Sequence, residues 1–493
     1  MKPVVAELVR ALDRSATGYC HFKSNNTLSE ALNGVGDLDF LVDEKRRDVF
    51  ETVIARLGFV SAASRGGLSN PFVVHYYGYD ETDGAIIHLH VYYRLITGGS
   101  LVKNYHVPLE SALLHNLERK LGVPVPLKEF DLFFFVVRKS LEMPSLLEHY
   151  LFVKDREAIA KELDYLREGL APEALDRARS RALPSLDGKL LRGCWTALQD
   201  AGPLERVASG IRMRRAMGGA VRAPLLISLE RVRLFVRAVW RARLGIKAKD
   251  RHLSTGGKVI AFVGAEASGK STLSRASADW LGEHFDVRHV HLGKPSRTIF
   301  TWPLWLTVRC GVWVKTVLRL PKRKSVPPAP GTSEPEFLPS PFVLVLNALD
   351  RRIAARAVWR LAKNATIVIA DRYPGKPQGQ TDGPRIRARG WLTAILAGWE
   401  ASLYRGIPAP DLVFHARAPL DTILARNRNR RDPEPDDFVR WRHREAEGLT
   451  FEGARQISID TSEPLASSLL QVKRQIWARL STEERGATCS RPD

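Results

Sequence analysis

Residues 258–273 read KVIAFVGAEASGKSTL. The run 259–263 has the length and the β-branched content of a buried strand. The residues that follow, 264–271, fit the phosphate-binding pattern G-x-x-x-x-G-K-[ST] at every fixed position. A helix is expected from Ser271 to about Leu281, with its positive end directed at a bound anion. The stretch therefore predicts a strand, a phosphate-binding loop and a helix, in a domain that binds a nucleoside triphosphate.

Each residue type in the loop has a chemical reason to be there. Glycines let backbone N–H groups surround phosphate oxygens at positions where a Cβ would clash. Lys270 would bring its charge to the β- and γ-phosphates, and Ser271 would offer its hydroxyl to Mg²⁺. The alternative, a chance glycine-rich turn, is disfavoured by the strand before it and the helix after it. The predicted nucleotide-binding residues are Gly264, Ala265, Glu266, Ala267, Ser268, Gly269, Lys270, Ser271 and Thr272.

The length of the chain and its net charge indicate the number of domains and the kind of partner. The chain has 493 residues, which suggests two to four domains. Its net charge of +21 favours an anionic partner, although a solvated basic surface explains the charge equally well. We expect that partner to be a nucleoside triphosphate and a phosphate-bearing acceptor rather than a nucleic acid.

Cysteine spacing and hydropathy indicate the compartment. Cys20, Cys194, Cys310 and Cys489 are scattered without ligand spacing, which argues against a zinc site or a disulfide framework. The amino terminus is too charged for a secretory signal, and no apolar run is long enough to span a bilayer. We therefore expect a cytoplasmic protein, with peripheral contact to a membrane left open.

Residues 1–170 are expected to form a separate, smaller α+β domain. Residues 38–42 predict a strand, and side-chain alternation places Asp37 and Asp39 on one side at its start. A second predicted strand, 86–93, carries His88 and His90 on a common face. Two carboxylates so placed can hold Mg²⁺ for nucleotidyl transfer. The alternatives are that the aspartates form a turn and that the histidines are structural.

The same residues resemble the nucleotidyltransferase-like superfamily, in which a third acidic residue on a nearby strand joins a D-x-D strand. The resemblance implies that Asp37 and Asp39 are Mg²⁺ ligands. It is partial, because Val35-Gly36 replaces the usual Gly-Ser opening and a histidine stands where the third carboxylate is expected. Both an active domain and a weak binding module remain open.

Residues 171–255 are expected to form a basic helical connector. Prolines and glycines between 172 and 193 interrupt the helical pattern and predict a hinge. Beyond them the connector could lie on an anionic membrane surface or a glycan, or it could be a solvated basic helix packed on one face. Its basic residues are Arg212, Arg214, Arg215, Arg222, Arg231, Arg233, Arg237, Arg241, Arg243, Lys247 and Lys249.

Residues 256–482 alternate strand and helix patterns, as a parallel-sheet domain should. Further strands are predicted at 287–292, 366–370, 411–414 and 457–459, with a helix at 343–362, a tryptophan-rich helix at 299–320, a loop at 322–341 and a flexible tail at 483–493. Asp371 and Arg372 follow the strand 366–370, at the edge of the sheet where ligands bind. Asp371 can orient Mg²⁺ there, and Arg372 can contact a phosphate in bidentate fashion.

The segment VIADRYPG resembles the D-R-Y element of thymidylate kinases, and PAPDLVFHARAPLDTILARNRNR resembles that family's strand, helix and lid. Together with GAEASGKST and IDTSEP, the resemblance covers about residues 258–480. It implies that Asp371 and Arg372 serve Mg²⁺ and the acceptor monophosphate, with Arg426 and Arg430 on the donor side. One departure is the segment GKPQGQTDGPRI, which lacks the pattern with which the family reads base and sugar; another is the insert 299–341.

The sequence thus predicts an α/β protein with a P-loop parallel sheet flanked by helices, preceded by the smaller domain and the connector. Its predicted activity is ATP- and Mg²⁺-dependent phosphotransfer, with a nucleoside monophosphate as acceptor. Two alternatives stay open: a kinase for a phosphorylated sugar or glycan, and a non-catalytic switch controlled by nucleotide.

Overall fold

A computed structural model describes residues 1–64, 72–98, 105–144, 150, 152–200, 202–218, 233, 236, 251–293, 301–306, 340–375, 385–388 and 390–489. The chain divides into two compact units. Unit 1 comprises Met1–Ser254 together with Leu480–Asp493, and unit 2 comprises Thr255–Arg479.

Unit 1 is built on a six-stranded sheet. Its strands are β1 (Tyr19–His21), β2 (Asp37–Val42), β3 (Val60–Ser64), β4 (Val73–Tyr79), β5 (Ile86–Tyr92) and β10 (Arg251–Leu253). They lie in the order β1-β2-β5-β4-β3-β10, in which β2 and β5 run parallel and the other neighbours antiparallel. Two small hairpins accompany this sheet, β6 (Ile96–Thr97) with β7 (Tyr105–His106), and β8 (Leu117–Lys120) with β9 (Val123–Pro126). Unit 1 is therefore a mixed α/β structure.

The helices of unit 1 include the first part of the predicted connector. The helices are α1 (Pro3–Arg14), α2 (Leu28–Leu32), α3 (Arg47–Arg56), α4 (Glu110–His115), α5 (Lys128–Glu142), α6 (Arg156–Arg167), α7 (Ala174–Ala182), α8 (Gly188–Asp200) and α9 (Pro203–Ala216). Apolar side chains of α7, α8 and α9, among them Leu175, Leu191 and Met213, belong to one buried cluster with Phe133 and Val137 of α5. This corrects the predicted boundary at residue 170, because residues 174–216 complete the core of unit 1 rather than connecting two domains.

Unit 2 is built on a five-stranded sheet in which every strand is parallel to its neighbours. Its strands are β11 (Val259–Gly264), β12 (Val287–His291), β13 (Ile367–Asp371), β14 (Leu412–Arg417) and β15 (Arg455–Asp460), in the order β12-β13-β11-β14-β15. The three central strands are almost wholly buried, as their continuous Val, Ile, Ala and Phe content requires of strands covered on both faces. The chain moves to one side of β11 and then to the other, so the carboxyl end of β11 is the switch point where open α/β sheets bind ligands.

Helices flank this sheet. They are α10 (Lys270–Gly282), α11 (Pro341–Lys363), α12 (Trp391–Arg405), α13 (Leu420–Arg428), α14 (Asp436–Glu447) and α15 (Leu465–Cys489). Val358 and Ala362 of α11 pack on the buried cluster formed by the central strands. Of the predicted strands and helices of this domain, all are present with ends displaced by one to three residues except the helix at 299–320, most of which lies outside the described residues. One displacement matters for the site, because Asp371 is the last residue of β13 rather than the first residue after it.

Three predictions need comment. The basic run from 219 to 250, apart from Arg233 and Val236, and most of the insert 299–341 lie outside the described residues. The predicted flexible tail begins at residue 483, whereas α15 continues to Cys489. Among the described residues, none of the helices combines the length and apolar character needed to cross a bilayer.

Candidate functional site

The loop between β11 and α10 has the backbone shape of an anion cradle. Gly264, Ala267 and Gly269 all have positive φ angles, of 149°, 58° and 84°. A Cβ at Gly264 would lie 2.5 Å from the carbonyl oxygen of Ala416 and 2.8 Å from Ser268 Oγ, so only glycine fits there. The first turn of α10 begins at Lys270, and its unpaired N–H groups are available to an anion at the helix amino terminus.

Lys270 lies at the base of the cradle and is 5% exposed. Its Nζ donates to the carbonyl oxygen of Ala265 at 2.8 Å and lies 3.6 Å from Glu266 Oε2. Burial lowers the pKa of Lys270 to about 8, since desolvation of the ammonium outweighs the attraction of Glu266. A phosphate beside Nζ would compensate that desolvation.

Ser271 and Asp371 meet at the carboxyl end of the sheet. Ser271 Oγ donates to Asp371 Oδ2 at 2.7 Å, while Asp371 Oδ1 is buried and has no hydrogen-bond partner among the described residues. A hydroxyl beside a buried carboxylate with an unsatisfied oxygen is a donor set that suits Mg²⁺, which prefers a few oxygen ligands and completes its shell with water and phosphate. The residues present therefore fit Mg²⁺.

Glu266 lies among four cations of the chain, a group we call the Glu266 cluster: Glu266, Lys270, Arg372, Arg430 and Arg442. Arg372 Nη2 donates to Glu266 Oε1, and Arg442 Nη2 donates to the same oxygen at 3.0 Å. Arg430 Nη1 lies 3.7 Å from Glu266 Oε2. Burial by itself raises the pKa of Glu266, but the attraction of the cations outweighs it and lowers the pKa to about 2. The cluster shows that this part of the cavity stabilises negative charge.

Arg372 has a strained backbone. Its φ is 63°, in the left-handed region that non-glycine residues rarely adopt, and its N–H donates to Phe262 O at 3.0 Å. Room for the side chain depends on a glycine, because a Cβ at Gly293 would lie 2.4 Å from Arg372 Cδ. This conformation turns the guanidinium from the end of β13 towards Glu266.

Arg426 lies in the last turn of α13, and Arg430 follows the end of that helix. Arg426 Nη2 donates to Thr461 O at 2.6 Å, and Thr461 Oγ1 donates to Ser268 O at 2.8 Å. Together these side chains and the loop line a cavity of about 550 Å³. Of the predicted site residues, the lining includes Glu266, Ala267, Gly269, Lys270, Ser271, Thr272, Asp371, Arg372, Arg426 and Arg430. The structure thus brings the predicted kinase residues to one cavity.

Sequence reasoning missed Arg442 and Thr461. Arg442 lies on α14, is 5% exposed, and its Nη1 is buried without a hydrogen-bond partner in the described part of the chain. The only sequence signal was an arginine-rich helix, FVRWRHRE, after the lid, in which nothing singles out one arginine. Thr461 lies in the segment IDTSEP, but the sequence does not predict its hydrogen bond to Ser268 of the loop.

In unit 1 the aspartates and histidines also meet, in the predicted arrangement. Strand pairing places Asp37 opposite His88 and Asp39 opposite His90. The carboxylates, however, contact cations of the chain: Lys23 Nζ lies 2.8 Å from Asp39 Oδ1. Among the described residues no group of three or more His, Cys, Asp or Glu side chains is arranged to hold a metal ion. The predicted Mg²⁺ ligation by Asp37 and Asp39 does not fit this arrangement.

Comparison with known proteins gives partial matches. No family model matches the chain. The "uncharacterized ATP-binding protein YghR" of Escherichia coli K12 is 27% identical over 229 residues, which are 44% of this chain and 86% of that protein. The "uncharacterized ATP-binding protein YghS" of the same strain is 27% identical over 240 residues, 46% of this chain and 96% of that protein. Among solved structures, a thymidylate kinase from Ehrlichia chaffeensis is 18% identical with a TM-score of 0.24, covering 45% of this chain and 98% of that one.

The class of unit 2 follows from its own structure. A parallel sheet, a G-x-x-x-x-G-K-S loop at the carboxyl end of its central strand and a helix starting at the loop lysine define a P-loop domain. Whether unit 1 is nucleotidyltransferase-like stays a prediction.

Proposed function

We propose that the protein is an ATP-dependent phosphotransferase of the P-loop kinase class, with a nucleoside monophosphate as acceptor. The observation that carries the proposal is the convergence of four cations on Glu266 beside the phosphate-binding loop. A loop that only holds a nucleotide needs its lysine and its backbone N–H groups. Three additional arginines supply what phosphoryl transfer needs, because charge spreads over the equatorial oxygens of the passing group.

The donor is ATP in this proposal. The backbone of residues 264–272 would surround its β- and γ-phosphates, with Lys270 placed to contact both. The names of the two Escherichia coli relatives, which describe ATP-binding proteins, support this choice. Ser271 and Asp371 would hold Mg²⁺, whose positive charge would neutralise charge that develops during transfer.

We assign the acceptor phosphate to the part of the cavity lined by Arg372, whose guanidinium shares Glu266 Oε1 with Arg442. Both guanidiniums donate to Glu266 Oε1. Each has further N–H groups, which could donate to an acceptor phosphate as well. Arg426 and Arg430 also line the cavity and would contact the transferring group. With donor and acceptor held in line, the protein contributes position and electrostatics and forms no covalent bond itself.

One alternative acceptor is favoured by a specific observation. The segment after Asp371-Arg372-Tyr373 reads PGKPQGQTDGPRI and lacks the pattern expected for reading base and sugar. A phosphorylated sugar or glycan would need the same phosphate contacts but different contacts in that segment. Because both acceptors carry the phosphate that Arg372 would contact, an Arg372 variant does not distinguish them. Activity on the different compounds of a substrate panel does.

The test is transfer of a radiolabelled γ-phosphate from ATP to a panel of nucleoside monophosphates, phosphorylated sugars and glycans. Arg372→Ala should raise the acceptor KM or lower kcat while leaving ATP affinity unchanged. Arg428→Ala is the control, because Arg428 ends helix α13, pairs with Asp436 and does not line the cavity. ATP binding without acceptor-dependent transfer to any compound would replace the kinase proposal with a nucleotide-dependent switch.

A further inference from the structure

Unit 1 holds a pair of carboxylates, one of them buried, that already have partners within the chain. Asp37 and Asp39 project from one face of β2, opposite His88 and His90 on the parallel strand β5. Asp39 is 7% exposed, whereas the Asp37 side chain is about half exposed. In a metal-dependent site two such carboxylates would share a divalent cation and leave oxygen positions open to water or phosphate.

Lys23 occupies the position next to Asp39. Its Nζ lies 2.8 Å from Asp39 Oδ1 and 3.5 Å from the hydroxyl of Tyr92, which receives a hydrogen bond from it. The same ammonium lies over the rings of Phe22 and Tyr92, 5.6 and 5.1 Å from their centroids. A carboxylate and two aromatic faces therefore hold the ammonium in place, with only 18% of the lysine side chain exposed.

The histidines complete the pairing. His90 Nδ1 lies 3.1 Å from Asp39 Oδ1, and His88 Nδ1 donates to Asp37 Oδ1 at 2.5 Å. His88 Nε2 is in turn contacted by Arg251 Nη1 at 3.2 Å and by His75 Nδ1 at 2.9 Å. Each carboxylate thus has a nitrogen partner, and a second cation, Arg251, lies behind His88.

Lys23 and His90 also determine the ionisation of Asp39. Burial alone raises the pKa of that carboxyl, but Lys23 and His90 hold it well below its ordinary value. The carboxylate in turn raises the pKa of Lys23 against the effect of burial. Lys23 and Asp39 are therefore both charged throughout the physiological pH range, and a change of pH within that range does not release the ammonium.

A divalent cation does not fit this arrangement. Mg²⁺ takes oxygen ligands and needs free carboxylate oxygens, whereas the side chains around the pair place nitrogen donors and cations on those oxygens. Binding at Asp39 would also place the metal beside a buried ammonium, where charge repulsion is poorly screened. We propose that Lys23 takes the place of a divalent cation at the Asp37–Asp39 pair, so that unit 1 works without a metal ion and does not perform metal-dependent nucleotidyl transfer.

The proposal is tested by measuring Mn²⁺ binding to the full chain. Binding is detected as a loss of the free Mn²⁺ signal in electron paramagnetic resonance. All variants carry Asp371→Asn, which weakens the separate metal position of unit 2. Lys23→Met removes the ammonium while keeping an unbranched chain of similar length. The comparison set is Lys23 intact, Asp37→Asn with Asp39→Asn, Lys23→Met, and Lys23→Met with Asp39→Asn.

With Lys23 intact, we expect Mn²⁺ binding to be the same with and without the Asp37→Asn and Asp39→Asn substitutions. Lys23→Met should bind Mn²⁺ at least tenfold more tightly, and adding Asp39→Asn should abolish that gain. A Mn²⁺ site in the Lys23 chain that disappears with the double substitution would overturn the proposal, and this comparison decides even when Lys23→Met does not fold. A folded Lys23→Met variant without any gain would overturn it as well, because Lys23 would then not be what excludes the metal.

Discussion

Glu266→Gln removes the one negative charge from the Glu266 cluster and leaves four cations facing each other. Glu266 is 9% exposed, and Lys270 and Arg442 are each 5% exposed, so these charges are poorly solvated. Removing one member of a buried ion pair costs about 3–5 kcal/mol, and we expect about 3 kcal/mol because the amide still accepts a hydrogen bond. For a domain of this size that corresponds to a melting temperature lower by roughly 6–12 °C.

The same substitution should respond more strongly to ATP than the parent does. Phosphate oxygens would restore the missing negative charge, so saturating ATP should recover more than half of the lost stability. The measurement is thermal unfolding of the full chain with and without ATP and Mg²⁺. Glu463→Gln is the matched control, since Glu463 lines the same cavity but is exposed, and its melting temperature should change by no more than about 1–2 °C. An unchanged melting temperature for Glu266→Gln, or an equal effect of ATP on the parent and on Glu266→Gln, would show that Glu266 does not balance these cations.

Three further predictions concern the same cavity. Lys270→Ala should lower the rate of phosphoryl transfer by roughly a hundredfold or more, measured with labelled ATP, whereas Arg428→Ala should not. Because the folded pKa of Glu266 lies below its unfolded value, its contribution to stability is complete above about pH 4.3 and is lost as the pH falls through about 2; acid unfolding of Glu266→Gln should lack this component. The pKa of Lys270 is about 8, so ATP affinity should fall as the pH rises above about 8, and Lys270→Arg should show no such decline in a binding titration.

The parallel sheet of unit 2 could be predicted because its signals are local. The run 259–263 and the loop after it fix a strand, a turn and a helix within one short stretch, and the structure places β11 and α10 within one residue of the prediction. The other strands were recognisable from short apolar runs such as 366–370, since strands covered on both faces need continuous apolar sequence.

The extent of unit 1 could not be predicted because it depends on contacts between helices distant in sequence. Gly188 and Gly193 predicted a hinge, yet Gly188 begins α8 and Gly193 lies within it. What holds that helix is burial of Leu191 and Cys194 in the core cluster of unit 1, and a sequence pattern does not show which core an apolar face will join.

The same limit applies to the charged partners. Arg442 is 176 positions from Glu266, and the two meet only because α14 returns to the loop. Lys23 and Asp39 meet because β1 pairs with β2. Arg426 and Arg430 line the cavity and Arg428 does not, but no sequence rule separates them, because all three lie in one run, RNRNR.

The central claim is that the P-loop domain transfers phosphate to an acceptor and does not merely bind nucleotide. The most direct measurement is the appearance of labelled phosphate on an acceptor, with the full chain, Lys270→Ala and Arg372→Ala assayed side by side against the monophosphate and glycan panel. We expect acceptor-dependent labelling that requires Mg²⁺ and is lost in Lys270→Ala. In Arg372→Ala, labelling should need more acceptor or reach a lower maximum rate. Tight ATP binding by the parent with no labelled acceptor, and with identical slow hydrolysis in Arg372→Ala, would contradict it.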